Sequence, residues 1–281
     1  MNYRALKLDL SNQQAVREAA TEVLSWNDVP TIDIVVNNAA VMNGPERMLS
    51  EDGIEMSFAT NHIGHFLFTS LIMPKLLKAT EGSPKGATRV INVTSGSPTL
   101  AGMRWSDINF EKINRDLPEA EQPPYDLHRR WGVINPEEKS YIPLEGYNQS
   151  KVANVLFGIA ANKRLYDKHG VLSLAVHPGV IQTELTRYTA PETVAAIQEM
   201  MKNGAFQLKT LGAGAATTLV AATDPQLGMS KPESKDGKEN YGAFLMDCQI
   251  SDKGCARAVS SDEAEKLWKL SEELVKEQFS W

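Results

Sequence analysis

The chain has no run of basic residues, no apolar stretch of membrane-spanning length and only two cysteines among 281 residues. Each absence excludes something. Without a basic footprint, and with a net charge of −6, the chain offers nothing to a phosphate backbone, so nucleic acid is not an expected partner. Without a long apolar run no membrane span is expected, and no N-terminal stretch has the order of a signal peptide. Cys248 and Cys255 have the spacing of neither a disulfide framework nor a metal knuckle. They read as free thiols in a reducing compartment, and a cytoplasmic location is expected. The sequons Asn92-Val-Thr94 and Asn148-Gln-Ser150 then read as accidents. No internal repeat is present. What remains is ordinary for a soluble globular chain: 42% hydrophobic and 23% charged residues.

Short apolar runs alternate with helical patterns. "IDIVVNNAA" (32–40), "TRVINVTSGS" (88–97), "VLSLAVHPG" (171–179) and "YGAFLMDC" (241–248) read as buried strands. "SNQQAVREAATEVLSW", with Ser11 as N-cap, "NHIGHFLFTSLIMPKLL" and "YNQSKVANVLFGIAANKRLYDKHG", stopping at Gly170, read as helices. A last helix, capped by Ser261 or Asp262, closes the chain. This alternation predicts an α/β fold, a parallel sheet covered on both faces, in one domain over residues 1–281. Residues 102–145 form a polar insertion. Residues 184–206 are expected to lid the site, with Met200, Met201 and Phe206 pointing to an apolar ligand or to an ordinary packed helix. The loop over 228–240 is polar enough to be mobile.

In such sheets ligands sit at the carboxyl ends of the strands. Asn37, Asn38, Ser95, Pro178 and Gly179 fall there, and Tyr147 and Lys151 open the helix between the last two of those strands. Four residues apart on a helix, Tyr147 and Lys151 share a face. A phenol near pH 10 is too weak an acid for neutral catalysis. An ammonium roughly 5 Å away, at an effective dielectric of about 20, favours the phenolate by about 3 kcal/mol. Ser95 can donate a hydrogen bond to a substrate oxygen. The pattern Y-x-x-x-K alone is also met as a surface tyrosine beside a solvated lysine.

These segments together resemble the short-chain dehydrogenase/reductase family over nearly the whole chain. "NNAA" at 37–40 resembles its N-N-A-G turn, and "HPGVIQTEL" (177–185) its P-G-x-x-x-T segment. The insertion, "SKVANVLF" and "LWKLSEEL" are most similar to the retinol-dehydrogenase-like branch. The resemblance implies a Rossmann-like doubly wound parallel sheet and a catalytic set of Asn61, Ser95, Tyr147 and Lys151. Tyr147 would be proton donor to a ketone or base toward an alcohol. Lys151 would lower the tyrosine pKa and bind the nicotinamide ribose, and Asn61 would hold a water. Asp9 in "LDLS" would contact adenine. Asn37, Asn38, Pro178, Gly179, Val180 and Thr183 complete the cofactor set. The implied cofactor is NADP, with NAD as the other choice, and the implied substrate a small apolar ketone or alcohol. His62 and His65 form an H-x-x-H, but their place beside Asn61 fits the family's helix, and no metal is expected.

The family's glycine-rich turn, which approaches the cofactor pyrophosphate, is not present in this sequence; "GAGAATT" at 212–218 reads as a helix start. In the strand order 3-2-1-4-5-6-7 this corresponds to an N-terminally truncated sheet, with strands 1 and 2 missing and "IDIVVNNAA" an open apolar edge. Either the natural protein starts further upstream, or "YRALKLDLS" pairs directly with that edge, or a partner chain covers it, as in a homo-oligomer. A non-redox descendant of the family, an isomerase, dehydratase or binding protein, is the second functional class.

Overall fold

The computed structural model describes residues 3–42, 44–204, 207–228, 240 and 243–281. In chain order these form α1 (Gln13–Ser25), β1 (Ile34–Asn37), α2 (Met56–Phe58), α3 (Gly64–Thr80), β2 (Arg89–Val93), α4 (Tyr125–Arg130), α5 (Pro143–His169) and β3 (Leu172–His177). There follow α6 (Pro191–Lys202), α7 (Leu211–Thr223), β4 (Phe244–Met246), β5 (Gln249–Ile250) and α8 (Ser261–Val275). The sheet order is β1-β2-β3-β4-β5. The first four strands are parallel, with Val35 opposite Val90, Ile91 opposite Leu174 and Val176 opposite Leu245. The fifth returns antiparallel through Asp247 and Cys248, both at positive φ, as a two-residue hairpin requires. The expected strand at 241–248 is thus confined to Phe244–Met246; Tyr241 and Gly242 lie outside the described residues, as do Phe206 and positions 229–239 of the polar loop.

Strands β2 and β3 are buried on both faces. Val90, Ala175 and Phe244 face a large core shared with α1, α3, α5 and α8, whereas Ile91, Leu174, Val176 and Leu245 face Ala221 of α7. The 27 residues of α5 begin with Pro143 in the first turn and end at Gly170, φ 76°. Aromatic edge contacts among Phe66, Phe157 and Trp268 lock α3, α5 and α8 together.

Residues 3–9 form no strand, contrary to one expected arrangement. A strand needs a hydrogen-bonding neighbour, and β1 pairs only with β2 among the described residues. The segment instead packs Leu6 and Leu8 against the main core, and Arg4 lies over Trp26 and pairs with Asp28. Leu10 is set against Gly64, where any Cβ would fall on the Leu10 carbonyl. The outer edge of β1 is therefore open, with Ile34 and Val36 40% and 43% exposed. Helix caps also differ by one residue from expectation. Asn12, not Ser11, caps α1 by accepting from the Ala15 N–H, because Asp9 takes both the N–H and hydroxyl of Ser11; Ser260 caps α8.

The insertion holds 3-10 turns and the short α4. Its anchor is buried Arg104, which donates to Asn114 Oδ1 (2.6 Å), Asp107 Oδ2 (2.5 Å) and the Lys112 carbonyl (2.6 Å).

Candidate active site

Strand β2 ends at Val93, and the polypeptide passes through Thr94 to Ser95 at the carboxyl edge of the sheet. Thr94 Oγ1 donates to the Lys151 carbonyl (2.6 Å), and Lys151 Nζ donates back to the Val93 carbonyl (2.9 Å), which Asn154 Nδ2 also reaches (3.1 Å). These contacts fix the first turns of α5 against the strand end. Tyr147, one turn earlier, is 9% exposed and lines the same cleft as Ser95; Lys151 Nζ lies 5.6 Å from its ring centre. Tyr147, Ser95 and Lys151 therefore line one cleft.

The electrostatics differ from the sequence-based expectation. Burial pushes the Tyr147 phenol up to about 12, opposed by the Ser95 hydroxyl whenever that group donates to it. Burial also pulls the Lys151 ammonium down to about 7. Desolvation acts against both charged forms and outweighs the attraction between them. Near neutral pH Lys151 carries only part of a charge, which weakens its pull on the phenol.

A cleft of about 670 Å³ opens above these groups, lined by Asn38, Ala40, Ser95, Tyr147, Lys151, His177, Pro178, Gly179 and Thr183. Gly179 has φ 89°, a backbone conformation that favours glycine, and the end of the Lys209 side chain lies over it, 2.6 Å from where a Cβ would stand. His177 was not singled out from the sequence, although it opens the quoted "HPG" segment. Its Nδ1 accepts from the Gly179 N–H (3.4 Å), and burial pulls it down to about 4, so it is a neutral wall of the cleft.

Four expected residues are elsewhere. Asn37 is 3% exposed and turns inward, donating to Asn92 Oδ1 (2.9 Å) and Thr69 Oγ1 (3.1 Å). Strand alternation decides this: Asn38, one position on, takes the cleft. Val180 points outward at 40% exposure. Asp9 is exposed and closes the turn onto Ser11. Asn61 stands one layer behind the cleft, on a π-helical turn, Ala59–Ile63. Its Nδ2 donates to Ser150 Oγ (2.9 Å) and the Val41 carbonyl (2.9 Å), and its Oδ1 accepts from the Val41 N–H (2.8 Å). It supports the residue next to Lys151 rather than facing the cleft itself. His62 and His65 reach different partners, Ser271 Oγ and the Ala39 carbonyl, each at 2.8 Å.

A second cavity, of about 370 Å³, lies between the insertion and the 184–206 segment. Trp131, Ile134, Tyr141, Leu144, Tyr188 and Ile197 give it an apolar wall. Its rim and that of the cleft alternate along the same segments: Ala40 and Met42, Arg187 and Tyr188, Tyr147 and Leu144. From α6 it is Thr193 and Ile197 that face it; Met200 and Met201 do not line it. No pattern in the sequence joined 131–144 to 188–197, because the cavity exists only once both segments fold over α5.

The comparisons with known proteins agree with this architecture. The family model described as short chain dehydrogenase matches residues 1–106. The chain is 34% identical to the Short-chain dehydrogenase TIC 32 A, chloroplastic, of Brassica napus over 96% of this chain and 71% of that protein. It is 30% identical to Retinol dehydrogenase 14 of Homo sapiens over 96% of this chain and 66% of that one. It spans 58% of the length of an oxidoreductase from Schizosaccharomyces pombe. Among solved structures, an uncharacterized protein from Mycobacterium Paratuberculosis superposes with a TM-score of 0.59 at 26% identity, covering 98% of this chain and 76% of that one. No helix among the described residues is long and apolar enough to cross a membrane.

Proposed function

Because the chain belongs to the short-chain dehydrogenase/reductase family, on its retinol-dehydrogenase-like branch, we propose that it is an NAD(P)-dependent oxidoreductase that interconverts an apolar ketone and its alcohol, with Tyr147 as the proton donor and acceptor. The observation that carries the reading is the convergence of Tyr147, Ser95 and Lys151 on one cleft at the carboxyl end of β2.

The nicotinamide half of a cofactor fits this cleft. Lys151 Nζ has one N–H on the Val93 carbonyl and at least one more for a ribose, while Gly179 and Asn38 line the cleft where a flat ring would lie. Pro178, Gly179 and Thr183 would hold the carboxamide side. Among the described residues no glycine-rich turn stands beside β1 to meet a pyrophosphate. When bound, the reduced nicotinamide supplies a hydride to the carbonyl carbon. The protein's own part is the proton. Tyr147 delivers it to the carbonyl oxygen, Ser95 holds the phenol in place, and Lys151 lies close enough to favour the phenolate left behind. We take NADP as the cofactor, with NAD as the alternative. The second cavity, within the size range of small-molecule sites and apolar in its wall, is the proposed seat of the substrate's carbon skeleton. Free thiols at Cys248 and Cys255 support a reducing compartment such as the cytoplasm.

The test pairs binding with turnover. Fluorescence quenching of the 281-residue chain by NADPH and NADH ranks the cofactors, and an apolar ketone series with Tyr147→Phe as control measures reduction. Turnover by Tyr147→Phe within tenfold of the parent would refute the role of the tyrosine. Absence of quenching at millimolar cofactor would favour the non-redox class.

A further inference from the structure

Behind Ser95 runs a chain of hydrogen bonds whose direction can be read. It begins at Glu145, in the first turn of α5. Asn148 Nδ2 donates to Glu145 Oε1 (3.0 Å), and His128 Nε2, from α4, lies 2.7 Å from the same oxygen. Asn148 thus turns its amide nitrogen, which can only donate, to Glu145. Asn148 Oδ1 is then turned to Ser97, whose hydroxyl donates to it (2.7 Å). A serine has one proton to give. With that proton on Asn148, Ser97 Oγ can only accept from Ser95 Oγ, 2.6 Å away. Ser95 in turn has no second proton for Tyr147, and it already accepts from the Ser97 N–H (3.0 Å). Toward the cleft, which Tyr147 also lines, Ser95 therefore offers only lone pairs: it can accept from the Tyr147 hydroxyl but has no proton to give it.

We infer that Glu145, Asn148 and Ser97 are positioning residues that set the polarity of this array, so that Ser95 meets the Tyr147 hydroxyl as an acceptor and opposes the loss of its proton. The inference rests on the proposed role of Tyr147. Forming the phenolate requires a donor in place of an acceptor, and Ser95 can become one only if a bond elsewhere in the array is lost. Buried His128 ties the array to the insertion, because α4 places its imidazole on the carboxylate at the far end and in the wall of the apolar cavity. The insertion thereby acts on the reacting hydroxyl from beyond the cleft.

The test reads the phenol in the unliganded chain, without turnover. Tyrosine labelled with 13C at Cζ reports protonation, and Tyr147→Phe assigns the resonance. In the parent, Tyr147 should stay in its neutral position to about pH 11. In Ser97→Ala, Ser95 is released to donate to the phenolate, and the midpoint should fall by roughly one to two pH units. Asn148→Leu frees the Ser97 proton to turn toward Ser95 and should act in the same direction, which covers a Ser97→Ala chain that does not fold. Ser97→Thr keeps the hydroxyl and should restore the parent behaviour. The other ionisable groups lining the cleft are Lys151 from α5, His177 from β3, and Glu184 and Arg187 beyond it; all are common to every variant. Where reduction is measurable, the high-pH limb of kcat should move down with the midpoint while KM stays constant. A resonance that titrates alike in the parent and both variants overturns the array even if Tyr147→Phe is inactive. A shifted resonance with an active Tyr147→Phe would leave the array standing and refute the proposed activity.

Discussion

Replacing Lys151 by methionine should make the protein more stable at neutral pH, by a margin that disappears toward pH 10. Lys151 is 2% exposed, and burial pulls its pKa from 10.5 to about 7. The unfolded chain keeps the proton up to the ordinary value, whereas the folded chain releases it near 7. Between those values the unfolded state binds more protons, so this group makes stability rise with pH. Each unit of difference corresponds to about 1.4 kcal/mol, so the charge costs the fold about 4 kcal/mol at pH 7 and about 1 kcal/mol at pH 10. Methionine carries no charge and nearly the same stem. It gives up the bond to the Val93 carbonyl, worth about 1 kcal/mol, although Asn154 still reaches that oxygen. Lys151→Met should therefore exceed the parent by roughly 3 kcal/mol at pH 7 and match it near pH 10. Urea unfolding followed by tryptophan fluorescence at pH 7, 8.5 and 10 measures both proteins. A stability difference that does not change with pH would refute the reasoning, because it would mean the lysine is solvated or keeps its charge in the fold. The stabilised variant should be catalytically dead, as is common where a site is maintained against stability.

Tyr147→Phe should abolish ketone reduction while shifting stability by about 1 kcal/mol or less, since the ring stays and only the hydroxyl is removed; a steady-state assay with a parallel urea titration checks both. Gly64→Ala should destabilise by about 1–3 kcal/mol, because the added methyl meets backbone that must move; an unchanged urea midpoint would show that Leu10 does not lie against α3. Binding of NADPH by the 281-residue chain should be more than a hundredfold weaker than by a chain carrying a glycine-rich turn, since two or three hydrogen bonds to charge amount to about 3–9 kcal/mol; micromolar affinity by fluorescence quenching would refute this.

Much of the sheet was legible in the sequence. The runs at 32–40, 88–97 and 171–179 contain β1, β2 and β3, because short β-branched and apolar runs closed by Asn, Ser or Pro favour strands. The meeting of Ser95, Tyr147 and Lys151 was legible for a related reason: strand ends and a single helical turn bring them together. Other features were decided by contacts no local pattern records. Residues 3–9 carry the alternation of a strand, but strand structure belongs to pairs. The sign of the tyrosine shift was missed because charge proximity can be read from spacing and desolvation cannot. Asn37 and Asn38 are adjacent and chemically identical, and only the pleat assigns one to the core and the other to the cleft. The apolar cavity needs 131–144 and 188–197 at once, two segments with nothing in common until α5 stands between them.

The π-helical turn at Ala59–Ile63 has a consequence for insertions and deletions. A π turn is an α-helix with one residue too many. Removing a single residue there leaves a chain that can close into an uninterrupted α-helix, with better hydrogen bonding than before. The helix on either side would keep its angular setting, because the wide turn is what accommodates the extra residue. Phe66 would stay in the aromatic group it shares with Phe157 and Trp268, and the loss would fall on the wide turn itself, where Asn61 faces Ser150. Five residues of irregular helix thus confine a polar bracket to one turn and leave the rod beyond it free to face the hydrophobic interior.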